Sequence, residues 1–418
     1  MTDRHHALSK QALPGLASRY SAEKRFKNYG KMAIIFSLSV LGFLITAIVL
    51  KGSGAFIKTD IKLEVTRELV TTYGDDDFML LRKTVLHNLP EAKGRLGRKA
   101  AYNMVSADAE VGLRAGLDAL LENRGDLPQV FDVWVPASDD VDMAWKADLS
   151  DAALGRFSQT QAGWLQSFAK KGRLKISFNS NFLMNGDSRD PERAGIGGAL
   201  MGSIFTLLVC LVCSFTIGVF AAIYLEEFAQ KNKFTAFLGV NINNLATVPP
   251  IIFGLLGLAV FLNIFGMPRS SSLAGGMVLS LMTLPTIIIT SRVSLAAVPP
   301  SIREAALGVG ASHVQAVFHH VLPLAMPGIL TGTILGMARA LGETAPLMMI
   351  GMVAFIVDPP GNFTEPATAL PVQVYLWSDS PERAFAEKTA GAIMVLLVFL
   401  VLMNLTAIIL RKKLEKKW

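Results

Sequence analysis

Six apolar runs, at about 32–50, 195–224, 237–265, 273–296, 328–356 and 389–410, constrain this chain more than any other feature. A helix must offer about 20 apolar residues to cross roughly 30 Å of hydrocarbon, and inside that layer each backbone N–H and C=O has to be paired within its own segment. The runs meet the first demand and helices meet the second. The sequence therefore predicts an all-α membrane protein with six transmembrane helices. Composition agrees, since 51% of the residues are hydrophobic and the mean hydropathy is +0.43, above the needs of a soluble enzyme.

Charge sets the orientation. The arm 1–31 carries Arg4, Lys10, Arg19, Lys24, Arg25, Lys27 and Lys31 against Asp3 and Glu23, so it is expected to stay in the cytoplasm. The apolar run behind it is too long for a signal-peptide core, which makes 32–50 an uncleaved anchor. Six crossings return the C-terminus to the same side, where the tail RKKLEKKW is basic, as an inner tail should be. The net charge of +7 comes largely from these flanks, and no nucleic-acid motif accompanies it.

Between the first and second runs, 51–193 is polar and long enough to fold by itself on the outer side. AAYNMVSADAEVGLRAGLDALLENRG has helical patterning, while VFDVWVP and RLKISFN alternate like strands. The expectation is a small α+β extracytoplasmic domain between helices 1 and 2. It contains no cysteine, so no disulfide staples it. Its acidic runs, 75–77 and 139–142, read more readily as solvated faces than as cation sites. No catalytic constellation is visible in it.

Cys210 and Cys213 form a C-x-x-C inside the second run, where cysteine behaves as a small buried hydrophobe rather than a redox or metal ligand. His5, His6, His87, His313, His319 and His320 lack the spacing of metal ligands, and the pair at 319–320 reads as loop surface. Neither a metal nor a cofactor is expected. In the third run, NNLATVPPIIFGLLG at 243–257 sets two prolines near mid-helix beside glycines that allow close approach. Such a break lines a path, makes a tight subunit contact, or is a packing kink.

The fifth run holds Arg339 and Glu343, four residues apart in GMARALGETAP and so on one helical face. Counted from Gly328 at the helical rise, Arg339 lies roughly 17 Å deep and Glu343 roughly 23 Å. A charge at that depth is costly and marks function. The guanidinium offers forked donors that fit a tetrahedral oxyanion, and it keeps its proton. Arg339 is therefore a pathway candidate, with Glu343 neutralising it between transport events. A structural ion pair between helices is the other reading.

REAALGVGASHVQAVFHHVLP, at 303–323, reads as a cytoplasmic helix-turn-helix within the loop 299–326. Glu304, Ala305 and Ala306 present a face of little bulk that can enter a cleft. Gly310 can take the positive φ that ends a helix. Leu322 and Pro323 close the motif, and Pro323 restarts the chain in a new direction.

This loop resembles the EAA loop of ABC-importer permeases, the coupling helix that sits in a groove of the ATPase subunit. His320 stands where that family usually has an apolar residue. ARALGETAP and the Asn-Leu-Ala-x-Val-Pro run extend the likeness over about 195–418, and the chain is identified as a member of the PstA-type permeases of phosphate-specific ABC importers. The segment 51–193 is an addition that many members lack. The resemblance implies a type I ABC importer permease fold in the bacterial inner membrane, with the permease domain at 194–418 supplying five transmembrane helices. It implies a homologous PstC-type permease, two copies of a PstB-type ATPase gripping the coupling loops, and a PstS-type periplasmic protein delivering phosphate. Some relatives place an Arg and a Glu on the helix before the coupling loop; this chain has Arg292 alone there, either a phosphate contact or a positive-inside anchor. No G-x-x-x-x-G-K-[ST] occurs, so ATP hydrolysis belongs to a separate subunit and the chain is not itself an enzyme. The rivals are a permease for sulfate, molybdate or phosphonate, and a membrane-anchored receptor, for which the chain lacks a cytoplasmic output domain.

Overall fold

The computed structural model describes residues 16–124, 127–353 and 355–414. Arg4, His5, His6 and Lys10 of the arm and the last four residues of the basic tail lie outside the described residues. The chain divides into two compact units, Met1–Lys51 and Gly52–Trp418. In the first, helix α1 runs unbroken over Leu16–Gly52. The described part of the arm continues into the anchor at residue 31 as one helix. Nothing in the sequence stops the helix there, and Glu23 and Lys27 pair across one turn at 2.6 Å. Within the apolar stretch, Ser39 and Thr46 return their hydroxyls to the carbonyls of Ile35 and Gly42, so neither carries an unpaired donor.

The second unit opens with a three-stranded antiparallel sheet in the order β2-β1-β3, built from β1 (Ile57–Thr66), β2 (Val130–Pro136) and β3 (Leu174–Phe178). Ile61 sits opposite both Val135 and Leu174. Ile61, Leu63 and Val65 point with Phe131, Val133 and Val135 into a core closed by Leu80, Leu113, Trp164 and Leu165 from helices on that face. The two expected strands are present, and the central one, β1, was missed although IKTDIKLEVT alternates plainly. The long helix expected over 100–125 is two helices, Gly94–Tyr102 and Ala109–Arg124. Between them Val105 bridges to Ala137 and Ser106 N–H donates to Pro136 O, so pairing with the end of β2 outcompetes helix.

The membrane helices follow: α2 (Gly197–Ile223), α3 (Lys233–Leu245), α4 (Pro250–Gly257), α5 (Ser272–Ala296), the short α6 (Pro300–Gly308), α7 (Leu322–Gly342) and α8 (Ala384–Leu414). Glycines bring α2, α5 and α7 together. On α7, Gly328 meets Ser294, Gly332 meets Thr290, and Gly336 faces Ile287 and Thr283, an antiparallel ladder along α5; on α2, Gly218 meets Ile287. Small residues four apart let helix backbones approach where lipid removes the hydrophobic drive to associate. Cys210 is buried in this packing beside Thr283, at 3.5 Å.

Two expected spans differ from single rods. The third was read as one interrupted helix over 237–265; instead α3 and α4 meet at an angle of 102°. Pro249 caps α4 and Pro250 fills its first position, where a missing N–H costs nothing, so the prolines start a new helix rather than kink an old one. Five described helices are long and apolar enough to cross a membrane, and the bent pair makes a sixth only if it is one broken span. The fifth expected span, 328–356, is displaced. Its helix begins at His313 and ends at Gly342, followed by a short turn over Ala345–Met349. Glu343 turns extended, with φ −84 and ψ 119, and Pro346 sits in the first turn of the short piece that follows, where its missing N–H costs nothing.

Pro323 does not redirect the chain. A π-helical turn over Val317–Val321 sends the Leu322 N–H back five residues to Val317 O, and Pro323 then sits without penalty inside a continuous rod. His319 and His320 are exposed, as expected, but on this helical turn rather than in a loop.

A side chain at position 332 would collide with Thr290. Gly332→Leu is expected to lower the stability of the purified protein by about 1–3 kcal/mol, seen as an earlier melt in detergent, whereas Leu335→Ala on the open face of α7 should leave the melt nearly unchanged.

Candidate functional site

The knuckle between α5 and α7 is built by consecutive local rules. Pro299 and Pro300 start α6. At its end Gly310 takes φ +91, Ala311 N–H donates to Ala306 O at 3.1 Å and Gly310 N–H to Leu307 O at 3.0 Å, the paired bonds of a Schellman stop. Two residues later Ser312 caps the next helix in a reciprocal box with Gln315. Glu304 and Ala305 are exposed and Ala306 is buried. Beside them Leu307 and Val309 are open to solvent, Val309 at 85%. An apolar, low-relief tip is thus held rigid and presented outward. Gly310 lies in it as expected, whereas Leu322 and Pro323 belong to the rod behind it and are half-buried.

What fastens this tip was not legible as a motif. Arg303 donates to Glu227 Oε1 at 2.6 Å and Oε2 at 3.0 Å through Nη2 and Nε, and to the carbonyls of Val298 and Leu295 at 2.7 and 2.8 Å. Those carbonyls lie at and just past the C-terminal end of α5, where a cation is favoured, and Leu295 O also accepts from Val298 N–H at 3.2 Å. Only 4% of the Glu227 side chain is exposed, and its backbone carbonyl meets His313 Nε2 at 2.8 Å. Glu227 sits in a π-helical turn, Tyr224–Phe228, that ends the α2 rod. One residue before it, Glu226 holds Arg292 Nε at 3.3 Å. The signal available in sequence was a pair of acids, Glu226 and Glu227, directly at the end of an apolar run.

Arg339 and Glu343 are brought together, with Nε to Oε1 at 3.5 Å. Glu343 is the residue on which α7 ends, with φ −84 and ψ 119, and the pair still closes across one turn, as the four-residue spacing predicts. Half of the Arg339 side chain is exposed. With Leu335 and Gly342 it forms an open stripe on α7, while Met337, Ala340 and Leu341 are buried. Gly254 of α4 packs on Pro346 and Met349 just beyond Glu343, so the proline break and the GETAP segment are neighbours.

Arg292 is not brought to this pair. The Gly332–Thr290 and Gly328–Ser294 contacts put it level with about residue 330 of α7. Arg411, in the basic tail, donates to Thr331 Oγ1 at 3.0 Å and marks the same level. Arg339 lies eight or nine residues further on, about 12–13 Å along the axis. Arg292 therefore stands with the basic end, paired and lying against α3 at Gly239.

A bundle of apolar helices with a protruding rigid knuckle and a charged pair part-way through it defines a membrane transport subunit. The model of the binding-protein-dependent transport system inner membrane component matches residues 214–418, and that of a domain of unknown function, DUF3333, matches 14–153. The phosphate transport system permease protein PstA of Haemophilus influenzae is 31% identical over 223 residues, 53% of this chain and 78% of that protein. The probable ABC transporter permease protein YqgI of Bacillus subtilis is 28% identical over 253 residues, 56% of this chain and 83% of that protein. Among solved structures, the inward-facing MetNI methionine ABC transporter aligns with 51% of this chain and 95% of its own, at 18% identity and a TM-score of 0.42. The chain belongs to the PstA-type permeases of the binding-protein-dependent ABC transporter family, a transport component of the inner membrane rather than an enzyme.

Removing Glu227 strands the Arg303 guanidinium among carbonyls. Glu227→Ala is expected to cost about 3 kcal/mol, read as an earlier melt, and a double-mutant cycle with Arg303→Met should be strongly non-additive. Additive losses would mean that the pair contributes no coupling.

Proposed function

We propose that this chain is one of two permease subunits of an ATP-driven phosphate importer, forming half of the pathway and taking its power through the α6 knuckle. One observation carries the reading: a single rod, His313–Gly342, runs from the knuckle to Arg339, so movement of the first moves the second. The relatives named as phosphate transport permeases support phosphate as the cargo. The charge distribution supports both ends facing the cytoplasm, with the sheet domain, within 51–193, outside.

In this reading a cytoplasmic PstB-type ATPase dimer grips α6 of this chain and its counterpart on a PstC-type permease, and a PstS-type protein supplies phosphate from the periplasm. Closure of the ATPases draws the knuckles together and opens the site near Arg339 outward; hydrolysis resets it. Arg339 offers forked donors to the oxyanion and Glu343 takes them back when the site is empty, so the guanidinium never holds the anion permanently. Both residues line the path at the broken backbone by α4. Arg292 serves as an inner anchor. Glu304, Ala305 and Ala306 form the gripped face, with Gly310 setting its end.

Arg339→Ala is expected to lower phosphate uptake at least about tenfold, some 1.4 kcal/mol of lost stabilisation, with assembly intact by co-purification. Near-normal uptake would leave Arg339 a structural residue. Competition by sulfate, molybdate and phosphonate in the same assay identifies the oxyanion, and stronger competition by one of them than by phosphate would replace phosphate as the cargo.

Glu304→Trp should leave the protein inserted while ATP hydrolysis proceeds without uptake in proteoliposomes. Retained uptake with normal coupling would remove α6 from the drive.

A further inference from the structure

Where the sheet domain meets the start of α8, charged groups converge on a cavity of about 40 Å³, room for a few water molecules. Asp139 and Asp142 reach it from the helix Asp139–Lys146, Glu192 from the linker into α2, and Glu387 and Lys388 from the first turns of α8. Most of these charges are spoken for. Lys146 Nζ is held by Asp142 at 2.6 Å, Glu387 at 2.9 Å and Gly54 O at 2.9 Å. Asp142 also accepts from Thr59 N–H at 2.7 Å. Asp108 on the rim is paired with Arg193 at 2.6 Å. Lys388 is buried, donates to Ala194 O at 3.1 Å and lies over the Phe182 ring at 5.2 Å. The expectation that 139–142 is a solvated face therefore fails for Asp139 and Asp142, while Asp140 is exposed.

Asp139 and Glu192 differ from the rest, since neither has an ion-pair partner within 4.0 Å among the described residues. Thr59 lines the same cavity at 1% exposure, and its hydroxyl oxygen has no partner. An orphaned buried hydroxyl beside two carboxylates without counter-ions is what a site awaiting a small polar occupant looks like. A metal ion is disfavoured by Lys388 at the same cavity, and an anion by the carboxylates. The proton remains.

We propose that this cavity is a proton-binding site that latches the sheet domain to the last membrane helix: with Asp139 protonated the joint closes dry, and with Asp139 charged it takes in water and loosens. Burial pushes the Asp139 carboxyl up to about 7, aided by the charges of Glu192, Asp140 and Asp142 and opposed by Lys388. Burial likewise raises Glu192. A carboxyl whose folded value is raised binds its proton more tightly in the closed joint, so closure is favoured at low pH and weakens as pH climbs through about 7. The latch gives the matched domain of unknown function a role, that of setting how firmly it is held against α8. Only the choice of compartment whose pH sets it rests on the orientation proposed above.

The test is hydrogen exchange of the full chain in lipid nanodiscs, corrected for intrinsic rates, on peptides covering 139–147 and 186–196, from about pH 5.5 to about pH 8.5. The wild type is expected to exchange about tenfold faster at the alkaline end, with a midpoint near the Asp139 value, and D139N to stay slow throughout. E192Q, which leaves Asp139 in place, should move the midpoint to lower pH and keeps the test alive if D139N fails to fold. A flat wild-type profile, an unmoved profile in D139N, or an unmoved midpoint in E192Q overturns the proposal. Transport plays no part in this readout, so its failure and that of the import reading are separable.

Discussion

One buried carboxylate ties the knuckle to the membrane helices. Without Glu227, Arg303 of α6 would face the carbonyls of Leu295 and Val298 with its charge unbalanced. A buried ion pair contributes little net stability when its desolvation is counted, and much when one partner is removed. Its value here is geometric. Arg303 bonds the end of α2 and the end of α5 at once, so a load applied to α6 reaches two membrane helices directly and a third through the rod of α7.

The sequence was most readable where a local rule acts alone. The apolar runs gave the second, fourth and sixth spans nearly to their ends because hydrocarbon thickness fixes length. Gly310 announced the stop of α6 because few other residues tolerate its φ. Misreadings arose where a distant partner decides. Pro323 alone implies a turn, but a π-helical turn packed behind it absorbs the missing donor. β1 was passed over because it follows the end of α1 so closely, although its central place is fixed by pairing with strands far along the chain. Glu227 belongs to no motif: it is one of two acids at the end of an apolar run, and its place is explained by Arg303 arriving from 76 residues away.

The same contrast separates Arg292 and Arg411 from Arg339. Arg292 and Arg411 share a level, and each has found a local acceptor, Glu226 and Thr331. They gather at one end of the spans, as positive charge beside apolar helices commonly does. Arg339 lies beyond that level, half exposed, and its partner is a residue at which helical order ends. Position along α7, rather than charge as such, sets it apart.

Backbone chemistry leads to the same place without using side-chain charge. A helix that stops leaves its last carbonyls without helical donors, and in hydrocarbon each such group costs several kcal/mol. The rod stops at Gly342, well past the level of Arg411, and α4, which follows α3 at an angle of 102°, lays Gly254 on Pro346 and Met349 just beyond that stop. A helix end inside hydrocarbon is tolerable only if protein or water satisfies it. The open stripe of Leu335, Arg339 and Gly342 leaves that side of α7 uncovered by this chain. In the proposed reading, a second permease subunit lies against the stripe with water between the two, which would satisfy these carbonyls and leave an oxyanion path along Arg339.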